Sequence, residues 1–252
     1  MGLASVCDLR AFTLLVMAIA IGSLIELRAL TKRIGQPLIA APAFAATFGY
    51  LLCAMFGVLG RYESILLGVT TPVVMLCGLA GSVRGYLLRS AVTLLAVLYI
   101  GKLLSYFITI RREPEIGAAL TFLVILLIAC TDTFAMLIGK RFGRTRLTPI
   151  SPAKTVEGAL GGLLAAVLAG TTAVALQPAY HLSLWKGAFL GCFTSLAAQL
   201  GDLVESAIKR DARMKDAGTV LHGHGGVLDR FDSYLFGGIA SYMLLLFLER
   251  LP

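Results

Sequence analysis

Apolar runs of about 20 residues recur along this 252-residue chain, and its charges collect in the short segments between them. A run of that length crosses a hydrocarbon core of roughly 30 Å as a helix, with its backbone hydrogen bonds closed inside the segment. The pattern predicts spans at about 9–27, 37–59, 64–81, 86–109, 116–138, 157–176, 184–207 and 231–249. The expected fold class is all-α, a polytopic transmembrane helical bundle of about eight spans. The run from Leu9 to Leu27 exceeds a signal-peptide core and has no convincing small-residue cleavage site before Glu26, so it reads as the first span. Residues 1–252 read as a single integral-membrane domain, with 1–115 supplying N-terminal spans and 116–252 carrying the spans and loops that hold the chemistry.

Composition sharpens the class: 58% of residues are apolar, 14% are charged, and mean hydropathy is +0.87. The net charge of +8 is distributed unevenly. With the N-terminus outside, the loops on the inner side hold fifteen Lys and Arg against six on the outer side, which places the charged loops in the cytoplasm. Such loops orient the protein and also attract anionic lipids and substrates. The five cysteines show no metal or disulfide spacing and read as small buried apolar side chains. Glu26 and Lys102 are ionisable residues at or within spans. Glu26 lies near a helix end and Lys102 can extend its stem toward water, so both read as structural.

Chemistry enters with Asp132, which falls inside the fifth apolar run and needs pairing, hydration or a cation. The loop that follows is strongly basic. Ser151, Lys154 and Thr155 precede the next apolar run, where a helix N-terminus offers free N–H groups to a phosphate; an ordinary capped helix with a basic flank fits the same spacing. Gly158, Gly162, Ala166 and Gly170 then form a small-residue stripe for close helix packing.

The densest stretch runs from Gly201 to Ser233, with five basic residues, six acidic residues and two of the three histidines in 33 positions. Asp202, Glu205 and Lys209 recur at helical spacing on one face, and burying two carboxylates together is unfavourable without a cation. Asp229 and Asp232, three apart, share a face if a helix has begun there. Carboxylates beside Lys and Arg suit Mg²⁺ with phosphate substrates, whereas two glycine-flanked histidines, His222 and His224, do not make a zinc site. His224 reads equally as a hydrogen-bonding group near a phosphate or as a loop-stabilising residue.

The run from Ser206 to Asp232 closely resembles the signature of the phosphatidate cytidylyltransferases, or CDP-diacylglycerol synthases. Ser206, Lys209, Arg210, Lys215, Asp216, His224, Gly225, Gly226, Asp229, Arg230 and Asp232 occupy its fixed positions. Gly201-Asp202 and the segment from Asp132 to Gly158 look like further blocks of that family. Departures fall at His222, Phe134 and Val156, where the family more often has proline or glycine, glycine, and tryptophan. The resemblance covers residues 130–235; before that it is only hydropathic.

It implies that CTP and phosphatidate give CDP-diacylglycerol and pyrophosphate in phospholipid biosynthesis, with Mg²⁺ as cofactor held by Asp202, Asp229 and Asp232. The catalytic set it implies is Asp202, Lys209, Arg210, Lys215, Asp216, His224, Asp229, Arg230 and Asp232. Asp132, Ser151, Lys154, Thr155, Glu157, Gly225 and Gly226 would bind substrate. The expected partners are CTP, phosphatidate and membrane lipid, with no nucleic acid, and a homodimer through the small-residue helices is compatible. The expected location is a bacterial inner membrane with the active site on its cytoplasmic face. Two alternatives stand beside this: a membrane enzyme acting on another lipid phosphate or lipid alcohol, and a cation or phosphate transporter using Asp132, Asp202 and Glu205.

Overall fold

The computed structural model describes residues 8–177, 180, 182–214 and 225–248. The elements are α1 (Leu9–Arg33), α2 (Ala40–Phe56), α3 (Leu59–Leu79), α4 (Tyr86–Ala96), a π-helical segment (Val97–Lys102), α5 (Leu103–Arg111), α6 (Gly117–Phe142), α7 (Val156–Leu176), α8 (Leu184–Asp211) and α9 (Leu228–Phe247). Tyr86–Arg111 is one continuous helical run, so each of the eight expected spans has a helical run in its place. Six are long and apolar enough to cross a membrane, and α2, at 17 residues, is shorter. Among the described residues no β-strand occurs, which makes this an all-α membrane protein.

Three helices outlast their apolar runs. α1, α6 and α8 continue through Lys32-Arg33, Lys140-Arg141 and Lys209-Arg210. Cations in a last turn favour the helix, because they face the partial negative charge of its unpaired carbonyls. At α2 the stop is conformational: Gly57 adopts φ +71° and its N–H closes on Ala54 O. Burial of the cysteines differs from expectation, since none of the four described thiols is fully buried and Cys77 is exposed. In a membrane span, exposure to lipid serves an apolar thiol as well as burial does.

The chain forms two compact units. The first holds the described residues of 113–207 and 232–252. Its core is Leu120, Leu123, Val124, Leu127 and Ile128 of α6, with Leu190 and Ala198 of α8. The glycine stripe of α7 lets backbones meet: a Cβ on Gly158 or Gly162 would lie 2.6 Å from the carbonyl oxygens of Ala135 and Thr131 on α6. Buried hydroxyls of Thr194 and Ser241 pair at 2.8 Å between α8 and α9.

The second unit holds the described residues of 7–112 and 208–231. Leu24, Leu30, Tyr50, Leu51, Ile100, Ile108 and Ile110 are fully buried in it. Lys102 does not reach for water. It ion-pairs with Glu63 of α3, and its ammonium sits 5.9 Å and 5.1 Å from the ring centroids of Tyr50 and Tyr106. The carboxylate and the two aromatic faces offset the cost of partly burying the cation.

Candidate functional site

In the first unit the α6–α7 connection is a pinned excursion. Val156 N donates to Thr145 O and Leu147 N to Lys154 O, each at 2.9 Å, around an isolated antiparallel bridge between Arg146 and Thr155. Thr155 is the N-cap of α7, its hydroxyl accepting from Gly158 N at 3.1 Å. The Glu157 carboxylate accepts from Arg144 N at 3.1 Å and Thr145 N at 3.2 Å. Both acidic and hydroxyl groups therefore satisfy amides left open at the start of a helix and its approach. Arg141, Phe142, Gly143, Arg144 and Glu157 line a cavity of about 430 Å³ beside this loop. Ser151 contributes its carbonyl to Lys154 N at 3.0 Å.

The effect of the excursion is to aim Lys154 at α8. Its ammonium is buried and lies 2.5 Å from Asp202 Oδ2. Asp202 belongs to a group of three carboxylates, with Glu205 one turn later on α8 and Asp232 on α9; one oxygen of each lies within 4.8 Å of the others. Glu205 is fully buried and Asp232 is 7% exposed. α8 and α9 approach closely at this level, where a Cβ on Gly201 would lie 2.7 Å from Asp232 O. Beside Asp232, Ser233 donates its hydroxyl to Asp132 Oδ1 at 3.1 Å. Asp132, an exposed residue of α6, is also within electrostatic reach of Asp202 and Lys154.

Like charges so gathered in partial burial favour a proton or a cation among them, and the donor set is all carboxylate oxygen, the ligand type that Mg²⁺ takes. The residues fit such an ion. Of the carboxylates singled out in the sequence for a metal, Asp202 and Asp232 stand in this group and Asp229 does not; Glu205 is the third. Its spacing from Asp202 on one helix face was visible in the sequence, but which α9 carboxylate turns toward that face was not.

Asp229 is engaged differently, within the second unit. Its Oδ1 accepts from Lys209 Nζ at 2.6 Å, and its Oδ2 accepts from Gly226 N at 2.8 Å. Gly225, at φ +80°, makes the turn into α9, a backbone angle that favours glycine. Arg210 and Arg230 are exposed, and Arg210 donates to Met214 O at 3.3 Å. Lys215, Asp216 and His224 lie outside the described residues. Two contributions had little signal in the chain: Ser233 as partner of Asp132, and Glu26, whose carboxylate reaches the start of α9 some 200 positions away.

Known proteins are similar to this chain in sequence. Phosphatidate cytidylyltransferase of Bacillus subtilis (strain 168) is 45% identical over 154 residues, 60% of this chain and 56% of that protein. Phosphatidate cytidylyltransferase 4, chloroplastic, of Arabidopsis thaliana is 32% identical over 247 residues, 87% of this chain and 61% of that protein. The phosphatidate cytidylyltransferase of Staphylococcus epidermidis (strain ATCC 35984) is 40% identical over 148 residues, 58% of this chain and 55% of that protein. The chain thus spans 55–61% of the length of these three relatives. The sequence model of the cytidylyltransferase family matches residues 2–248, and this chain belongs to that family.

Proposed function

We propose that this chain is a phosphatidate cytidylyltransferase, converting CTP and phosphatidate to CDP-diacylglycerol and pyrophosphate at the cytoplasmic face of a bacterial inner membrane. A phosphate oxygen of phosphatidate attacks the α-phosphorus of CTP, the new P–O bond forms, and the bond to the β-phosphate oxygen breaks with pyrophosphate leaving in line. No protein nucleophile is needed, since the work is positioning and charge neutralisation.

One observation carries the reading: Asp202, Glu205 and Asp232 gather within 4.8 Å, with Lys154 on Asp202, on helices that are otherwise largely apolar. These three carboxylates would hold Mg²⁺. When bound, the ion neutralises phosphate charge and stabilises a leaving pyrophosphate. Lys154 would supply positive charge to the phosphates, and Lys209, Arg210 and Arg230 are assigned the same role by resemblance to the family. Asp229 holds the Lys209 ammonium in place. Ser151, Thr155 and Asp132 are positioned by hydrogen bonds near the same basic loop and acidic group, and Lys215, Asp216 and His224 are assigned by resemblance to the family. A lipid carrying two acyl chains and a triphosphate can meet only at an interface, and a membrane-embedded site avoids extracting the lipid.

The test is incorporation of radiolabelled CTP into a chloroform-extractable product by purified protein in detergent. Product that requires phosphatidate and Mg²⁺, and that falls about a thousandfold in Asp202→Asn, supports the reading. Folded wild-type protein that makes no product from phosphatidate overturns it, and product from another lipid phosphate redirects it to that substrate.

A further inference from the structure

Glu26 has no place in the reaction as described, yet its carboxylate is among the most completely enclosed in the second unit, at 2% exposure. A carboxylate buried in an apolar helix must be satisfied by donors. Here the donors are backbone amides: Val227 N donates to Oε1 at 2.8 Å and Leu228 N to Oε2 at 2.7 Å. Both amides belong to the N-terminal end of α9, where N–H groups have no partner inside the helix and the helix dipole favours negative charge. α1 is shaped for the contact. A Cβ on Gly22, one turn before Glu26, would lie 2.9 Å from Val227 Cγ2, and a Cβ on Gly226 would lie 2.7 Å from Glu26 Cδ.

The contacts continue in one direction. Gly226, packed on the Glu26 carboxylate, donates its N–H to Asp229 Oδ2 at 2.8 Å, the return half of a capping arrangement. The other oxygen of Asp229 accepts from Lys209 at 2.6 Å. Gly226 N–H thus orients one oxygen of Asp229 while the other meets Lys209, and Gly226 itself is packed on Glu26.

We infer that Glu26 is a positioning residue: by clamping the first amides of α9 it fixes Gly226, and through it the Asp229–Lys209 pair. The inference rests on the proposed reaction for its kinetic consequence but not for its structural one. Both are read in the full-length protein, in Glu26→Ala, Glu26→Gln, Gly226→Ala and Glu26→Ala/Gly226→Ala. Glu26→Ala lowers kcat by about ten- to a hundredfold, with KM for CTP little changed, the scale expected when a group that orients a reacting residue is removed. Glu26→Gln, which keeps one acceptor oxygen, falls between it and wild type.

Hydrogen exchange over residues 225–231 accelerates about tenfold, and Lys209 labels faster with an amine-reactive reagent, because a charge-assisted hydrogen bond of this kind protects by at least that factor. Gly226→Ala reproduces both changes with Glu26 intact, and the double variant is no worse than Glu26→Ala alone, as groups acting through one contact require. Wild-type exchange and labelling in Glu26→Ala overturn the inference, as does full multiplication of the two single effects. If Glu26→Ala does not fold, Glu26→Gln and Gly226→Ala give the same decision. If wild-type protein makes no lipid product, the reaction is at fault, and exchange and labelling still decide the clamp.

Discussion

The two units of this molecule treat buried charge in opposite ways. In the second, charges are matched to donors or counter-ions: Lys102 to Glu63, Glu26 to two amides, Asp229 to Lys209 and Gly226 N. In the first, three carboxylates are drawn together, Asp202, Glu205 and Asp232, with Lys154 against one of them. Matched charges hold elements in place, whereas gathered like charges raise the energy of the site, which a bound cation would lower. The contrast sets matched charges, which orient neighbouring groups, against gathered carboxylates, and substitutions in the two regions should have different consequences.

The largest effect is expected at the gathered carboxylates. Asp202→Asn should reduce CTP-dependent product by about a thousandfold while the protein remains folded, because removing one charge-stabilising group from a preorganised site costs on that scale. Detergent-phase turnover at several Mg²⁺ concentrations measures it. A variant that retains near wild-type turnover would place Asp202 with the framework charges. The Glu26 variants come next, since they perturb an orientation rather than remove a charge from the carboxylate group.

A framework pair should behave otherwise. Lys102→Met should lower thermal stability by about 1–3 kcal/mol, between the values for exposed and buried pairs because Glu63 is 45% exposed, with turnover per folded molecule unchanged. Glu63→Gln added to it should restore part of the loss. A fall in turnover without a change in stability would move Lys102 out of the framework. The smallest effect belongs to Thr155→Ala, which removes the N-cap of α7 and should cost about 1 kcal/mol in a thermal melt. If KM for CTP also rises, Thr155 touches substrate as well as capping its helix.

Much of this division was written along the chain, but not the pairing. Asp132, Lys154 and Asp202 stand out because charges beside apolar runs are costly and therefore visible. Asp229 and Asp232 looked interchangeable, being three apart near the start of one helix, and in the fold one meets Lys209 while the other joins Asp202 and Glu205. The partner of Lys102 was equally hidden. A stem long enough to snorkel predicts water as readily as it predicts Glu63.

By itself the sequence determined the number and positions of the helices, since a bilayer demands about 20 apolar residues per crossing and backbone bonds closed within each segment. It also marked Asp132, Lys154 and Asp202 as candidates, since a charge within or beside an apolar run is costly. Only the tertiary structure decided which carboxylates share a site, which are absorbed by a lysine, and that Glu26 clamps a helix some 200 residues away. Those outcomes depend on rotations about helix axes and on close approaches at single glycines. Composition and period do not encode these, because they arise when distant segments pack and each buried charge takes the nearest donor.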